Sequence, residues 1–264
     1  MISEFLDIHL DALEASEARH NLLLGVLPKA GAQPREGFLT WTLGGPGQCA
    51  ISISSKGPLI IGDADEDQCR ELAEQTLALD YQVVVGPGHT ATWFAQRAGD
   101  LGIAFAEPTP QRIHAISEWP IIPPAPGQSR LAVVEDTDIF VAWVMEFASE
   151  ATPRDPPPQR SGLGRMLSEG RVLFWVVDAE PVSMGSIMRR TRHAAAISWV
   201  YTPPRLRNRG YAGATTAALV ERIYAEGRTT ACLYTDLRNP ISNRCYAKIG
   251  FRPVCDAFSY SKLR

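Results

Sequence analysis

Between Tyr201 and Ala212 the chain reads YTPPRLRNRGYA. The apolar run at 195–201 predicts a strand, and residues 212–226 predict a helix ended by Gly227. A loop from a strand into a helix N-terminus points unpaired backbone N–H groups at one spot, where the positive end of the helix dipole also lies. Gly210 lets the backbone approach a ligand closely with positive φ, and Arg207 and Arg209 add cationic charge. The chemistry that suits these residues is the binding of a pyrophosphate. A solvated basic turn is the plainer reading of the same residues. One predicted strand further on (231–235), residues 239–251 read NPISNRCYAKIGF, a helix over 242–249 closed by Gly250.

The elements that must hold these two segments follow from hydrophobic period and punctuation. A long amphipathic helix is expected over 3–27, then strands at 38–43 and 48–54 around a GGPG turn, and a short buried strand at 58–62. A helix over 65–79, a strand at 81–85, a helix over 90–98 and a strand at 111–117 complete the first half. The proline-rich stretch 119–129 (WPIIPPAPGQS) reads as a linker. The second half is expected to hold a helix over 136–150, a proline-rich loop over 152–162, and strands at 172–177, 182–188 and 195–201. The helix 212–226, the strand 231–235, the helix 242–249 and one or two strands from Phe251 onward follow. Both halves have one order of elements: helix, three strands, helix, strand, helix, strand. The second half is longer only between its third strand and the next helix, where it carries the Arg207 loop and the first half has the acidic GDADEDQ. The expected fold is α/β with a mixed, mostly antiparallel sheet flanked by helices, in two copies cut at 122/123. A single mixed α/β domain is the plainer alternative.

Together the two segments resemble motifs A and B of the GNAT superfamily, the GCN5-related N-acetyltransferases. Residues 200–212 are similar to motif A, a strand followed by Arg-x-x-Gly-x-Ala and a helix. Asn243-x-x-Tyr246 followed by Gly250-Phe251 is similar to motif B. The spelling VYTPP…RGYA with YTDLRNPISN resembles a bacterial tandem-domain branch of that superfamily, over about residues 130–264. The resemblance implies acetyl-CoA as co-substrate and an amine as acceptor. It implies that Arg207, Asn208, Arg209, Gly210, Tyr211 and Ala212 hold the CoA pyrophosphate. The strand ending in Val200, Tyr201 and Thr202 would splay from 231–235 to admit pantetheine, with an amide near Val200 as oxyanion donor. Asn239 and Asn243 would meet the pantetheine arm, and Tyr246 would protonate the leaving thiolate. Core packing is the plainer reading of Tyr246.

For the general base the motif A strand, ISWVYT, offers no acid. Candidates are Glu150 foremost, then Glu146, Ser198 and His193, or a water chain. Direct attack in a ternary complex is expected, since no Cys or Ser sits in a nucleophile motif; Cys245 beside Tyr246 raises a covalent alternative, but neighbours on a helix point about 100° apart and do not easily face one sulfur. In the first half, Asp63, Asp65, Glu66 and Asp67 would repel a pyrophosphate, so that copy is expected to be degenerate and without CoA. A CoA-responsive binding or regulatory module without turnover is the rival reading. The net charge of −3, from 26 basic and 29 acidic residues, argues against a nucleic-acid partner, and the basic run 189–193 reads as a solvated hairpin turn. Five cysteines without CxxC and five scattered histidines suggest reduced thiols and no metal site. Acids interrupt every apolar run at the N-terminus, and no stretch reaches ~20 apolar residues. The expected setting is therefore the cytoplasm, with no membrane partner and monomer as a plausible state.

Overall fold

The computed structural model describes residues 2–28, 34–54, 56–153 and 158–263. The chain runs α1 (Ile2–Glu14), α2 (Glu17–Val26), β1 (Leu39–Thr42), β2 (Cys49–Ser52), β3 (Leu59–Ile61), α3 (Glu66–Gln75), β4 (Val83–Pro87), α4 (Thr90–Asp100) and β5 (Thr109–Ile116). It continues through β6 (Gln128–Leu131), α5 (Thr137–Ala151), α6 (Arg160–Ser168), β7 (Val172–Val177), β8 (Glu180–Arg190), β9 (Ala194–Tyr201), α7 (Tyr211–Ala225), β10 (Thr230–Asp236), α8 (Pro240–Ile249) and β11 (Arg252–Ser261). This is the expected mixed α/β architecture, sheet flanked by helices.

Two compact units divide the chain, and neither is a single stretch. The first holds the chain up to Ile113 together with 234–238 and everything from Pro253 onward; the second holds 114–233 and 239–252. A cut at 122/123 therefore does not trace them. The reason is strand pairing: β11, last in sequence, lies antiparallel to β4, from Ala257 opposite Pro87 to Ser261 opposite Val83. Order along a chain does not reveal such a partner.

In the first unit β1, β2 and β3 pair antiparallel and β3 pairs parallel with β4. Alternation along the strands sorts the core into two faces. Ala50, Leu59 and Ile61 pack with Leu72 of α3 and Phe94 of α4, whereas Ile51, Ile60 and Val85 pack with Phe5, Leu13 and Leu23 of α1 and α2. The helix expected over 3–27 is two helices. Ser16 leaves helical geometry (φ −138°, ψ 57°) and Glu17 opens the next helix with a favourable first-turn charge.

In the second unit β6, β7, β8 and β9 pair antiparallel, and β9 pairs parallel with β10. Val172, Phe174 and Met184 face Phe140, Val144 and Leu163 of α5 and α6, while Leu173, Ile187 and Ile197 face Ala217, Leu219 and Ile223 of α7. Sequence reading missed α6, a glycine-containing helix behind a proline-rich stretch; part of the loop expected there, 154–157, lies outside the described residues.

The expected linker is a fixed strap on the second unit. Tyr224 Oη donates to the carbonyls of Ile116 and Glu118, both at 3.0 Å. The Ile121 N–H donates to the Ile249 carbonyl (2.8 Å), and Trp175 Nε1 donates to the Pro126 carbonyl (2.7 Å). The strap thus passes from the C-terminal end of α7 past its first turn and continues into β6, which takes over at Gln128 where a linker was expected. Four prolines lower the entropy of the free segment, which favours this docking.

Candidate functional site

Strand β9 begins regularly. Its parallel ladder with β10 runs from Ala194 opposite Thr230 to Ile197 opposite Leu233 and ends there, leaving 198–201 outside it. On the other side, Met184 pairs with Tyr201 and Ser186 with Ser198, so three steps on β9 oppose two on β8. The extra residue is a bulge, marked by Trp199 at φ 51°, a left-handed value that is rare for a bulky side chain. The bulge shifts the alternation by one. Ala195, Ile197 and then Val200 border the α7 face, while Trp199 and Tyr201 turn to the α5 face. Val200 shares its cluster's margin with Leu206, Cys245 and Tyr246, so the strand end, the loop and α8 converge on one apolar wall.

The loop after β9 is held from within. The Thr202 hydroxyl donates to Ser183 Oγ (2.9 Å), which donates to the Tyr201 carbonyl (3.0 Å). A 3-10 turn spans Pro204–Leu206, Asn208 stands at φ 63° and Gly210 at φ 82°. Gly210 is the N-cap of α7 and supplies no side-chain cap. A Cβ on Gly210 would lie 3.2 Å from the Pro124 carbonyl, and one on Gly213 2.9 Å from Pro123 Cγ. These glycines therefore also make room for the strap, a demand not visible in the local sequence. Arg207 does not point freely from this loop. Its Nε donates to the Thr202 carbonyl (2.9 Å), its Nη2 to Glu150 Oε2 (2.6 Å), and its guanidinium lies 5.7 Å from the centre of the Tyr201 ring. Arg205 and Arg209 are exposed, Ala212 is half-buried, and Tyr211 is core.

The candidate bases separate by position. Tyr201 Oη donates to Glu146 (2.7 Å) and lies 3.4 Å from Glu150, so both acids of α5 meet the end of β9. Loss of hydration, then the Glu146 hydrogen bond, pushes the Tyr201 pKa up. Ser198 spends its carbonyl on the Ser186 hydroxyl (2.9 Å). His193 precedes β9; six residues of strand put it roughly 20 Å from Trp199, at the wrong end for a base. The neighbouring basic run is the β8–β9 turn, where Arg190 pairs with Glu226 at 2.8 Å.

On α8, Asn239 is the N-cap and its Oδ1 accepts from the Ser242 N–H (3.2 Å), with Pro240 in the first turn. Asn243 donates to the Asn239 carbonyl (2.8 Å) and its Oδ1 lies 3.3 Å from Nε2 of His114, a buried residue of β5 that sequence reading did not single out. An isolated polar position on an alternating strand was its only signal. Tyr246 packs edge-on against Phe251 with ring centres 6.0 Å apart, and desolvation, then charge on Cys245, pushes its pKa up. The phenol therefore stays protonated at neutral pH.

The loop before α3, the expected counterpart in the first unit, is differently occupied. Asp65 caps α3 in a capping box, accepting from the Gln68 N–H (2.9 Å) while its own N–H donates to Gln68 Oε1 (3.0 Å). Asp63 accepts from Arg19 (2.7 and 2.8 Å) and lies 3.1 Å from His20 Nε2. Among the described residues no three His, Cys, Asp or Glu side chains converge as metal ligands, and no helix is long and apolar enough to cross a membrane.

Residues 177–258 match the family described as FR47-like protein. No curated protein sequence matches the chain. Among solved structures, a GCN5-related N-acetyltransferase from Kribbella flavida superposes with a TM-score of 0.62 at 15% identity, covering 94% of this chain and 96% of its own. A Drosophila protein gives a TM-score of 0.62 at 13% identity over 81% of this chain and 73% of its own. An acetyltransferase of the GNAT family from Colwellia psychrerythraea gives 0.55 at 11% identity over 82% and 81%.

Proposed function

We propose that the chain, whose fold is like that of the GNAT acetyltransferase structures, is an acetyl-CoA-dependent N-acetyltransferase with one active site, in the second unit. The observation that carries this reading is the end of β9: its ladder to β10 stops at Ile197 and Leu233, two residues before the bulge at Trp199, and the strand then enters the Arg207–Ala212 loop. An extended pantetheine arm can add to a strand edge released in this way. The loop amides and the uncapped start of α7 suit the pyrophosphate, with Arg207 and Arg209 adding charge. A bulge also frees an N–H from its ladder and re-aims it. The amide at Val200 is the oxyanion donor in this reading, polarising the thioester carbonyl.

The acceptor amine attacks the acetyl carbonyl directly. Its proton leaves through Glu150 or a water that Glu150 holds, and Tyr246 protonates the departing thiolate. Asn243 and Asn239 serve chiefly by fixing α8, which carries Tyr246. The partners in this reading are acetyl-CoA and an amine, with no nucleic acid or membrane. The first unit has no CoA site in this reading, and all five cysteines are free thiols, which suits the cytoplasm. The test is thiol release from acetyl-CoA across a panel of amines. Amine-dependent release that Tyr246→Phe slows supports the enzyme; CoA binding with no release by any amine favours a binding module instead.

A further inference from the structure

Arg207 holds the third position before Gly210, where the pyrophosphate reading needs a cation, yet its guanidinium is turned to α5 and engages Glu150 at 2.6 Å. That ion pair lies in water, with side chains 42% and 46% exposed. Exposed pairs of this kind are weak. A phosphate at a helix N-terminus offers Arg shorter, bidentate, charge-assisted hydrogen bonds and a doubly favourable field. The same cation therefore has two anionic partners of unequal strength. Glu150 also lies 3.4 Å from Tyr201 Oη, whose proton goes to Glu146 at 2.7 Å.

We infer that Glu150 and Arg207 form a latch: Glu150 holds Arg207 while the cradle is empty, and the pyrophosphate of CoA takes Arg207 over and so uncovers the Glu150 carboxylate. The inference rests on the pyrophosphate reading of the Arg207–Ala212 loop. It gives α5, an element outside both sequence motifs, a direct part in sensing whether CoA is bound. While the cradle is empty, Arg207 competes for the carboxylate proposed to receive the amine's proton.

The test is calorimetric titration of CoA into the full chain, the Glu150→Gln and Arg207→Ala variants, and the double variant, with Glu150→Ala as a second probe of the same position. Removing the competitor should make CoA bind about three- to fivefold tighter in both Glu150 variants, the range that an exposed ion pair permits. In the Arg207→Ala background the Glu150 change should do nothing, which separates the latch from a general loss of negative charge near the phosphates. Equal CoA affinity in the wild-type chain and the Glu150 variants would overturn the latch and leave the proposed function standing. So would a gain that persists without Arg207. Absence of CoA binding in every protein would overturn both.

Discussion

Tyr246 and Tyr201 are both phenols whose ionisation is pushed up by lost hydration, but they face different tasks. Tyr246 borders the wall shared with Val200, and in the proposed reaction its proton goes to the departing thiolate. A free thiol in water ionises at about pH 8.5, so the thiolate needs only modest help to leave. Tyr246→Phe should therefore lower kcat by about 10²-fold, the low end for general acid catalysis, with CoA affinity nearly intact in a titration. Unchanged single-turnover rates would reduce Tyr246 to packing. Asp63 makes a separate prediction about acid stability. Its pKa is lowered to about 2 from 3.8, first by the His20 hydrogen bond and then by Arg19 against desolvation. A depressed carboxylate stabilises the folded chain above the unfolded value and loses that contribution as pH falls through about 4 towards 2. Because the side chain is 41% exposed, screening holds the effect to about 1 kcal/mol or less. Asp63→Asn should flatten the wild-type decline in melting temperature across that window; an identical decline in both proteins would show that other groups carry it.

The strap and the start of α7 form one structural device. Gly210 sits at φ 82°, and the Pro124 carbonyl closes the space where a side chain would go. A β-branched residue in the left-handed region costs about 1–2 kcal/mol before any clash. Gly210→Val should lower the melting temperature by about 2–8 °C and weaken CoA binding together, since strap and proposed cradle share that backbone. A variant that binds CoA normally while losing stability would detach the cradle from this turn. The strap also changes how residues 119–129 are read. Proline content marks a segment that is stiff when free, and Trp175 and Tyr224 supply the contacts that dock it. Those contacts lie 49 and 106 to 108 residues away in sequence.

At the scale of the whole molecule, the loops that lead into α3 and α7 differ in charge and capping. In the first unit the start of α3 is capped by its own Asp65, and Glu66 and Asp67 in its first turn add negative charge, while Asp63 is paired with Arg19. In the second unit Gly210 leaves the start of α7 without a side-chain cap. An anion gains from free N–H groups and positive charge and loses where carboxylates already hold them. Titration should saturate at one CoA per chain, and two equivalents would refute the single-site reading. The division into units yields another expectation. Because β11 pairs with β4, a fragment ending at residue 122 lacks a strand of its own sheet, and the edge of β4 is left open. That fragment should show no cooperative thermal transition by circular dichroism, whereas a sharp melt would mean that its sheet closes without β11.

What the residues determined by themselves was local: the strand, loop and helix around Arg207–Ala212, the Gly250 end of α8, and the mixed α/β class all follow from period and punctuation over a dozen residues, whereas α8 begins two residues before the expected Ser242, behind an Asn239 cap. The opposite charge of the loops before α3 and α7 was equally legible, since charge needs no folding to be counted. The tertiary structure decided what depends on distant partners. It chose Glu150, 57 residues away, as the partner of Arg207, set the phase shift at Trp199 through pairing with β8, and returned the last strand to the first unit. The physical reason is that a helix cap or an amphipathic stripe is a short-range choice made within one segment. Which strand edge or carboxylate a group meets is settled only when the whole chain satisfies its hydrogen bonds and buries its apolar faces at once.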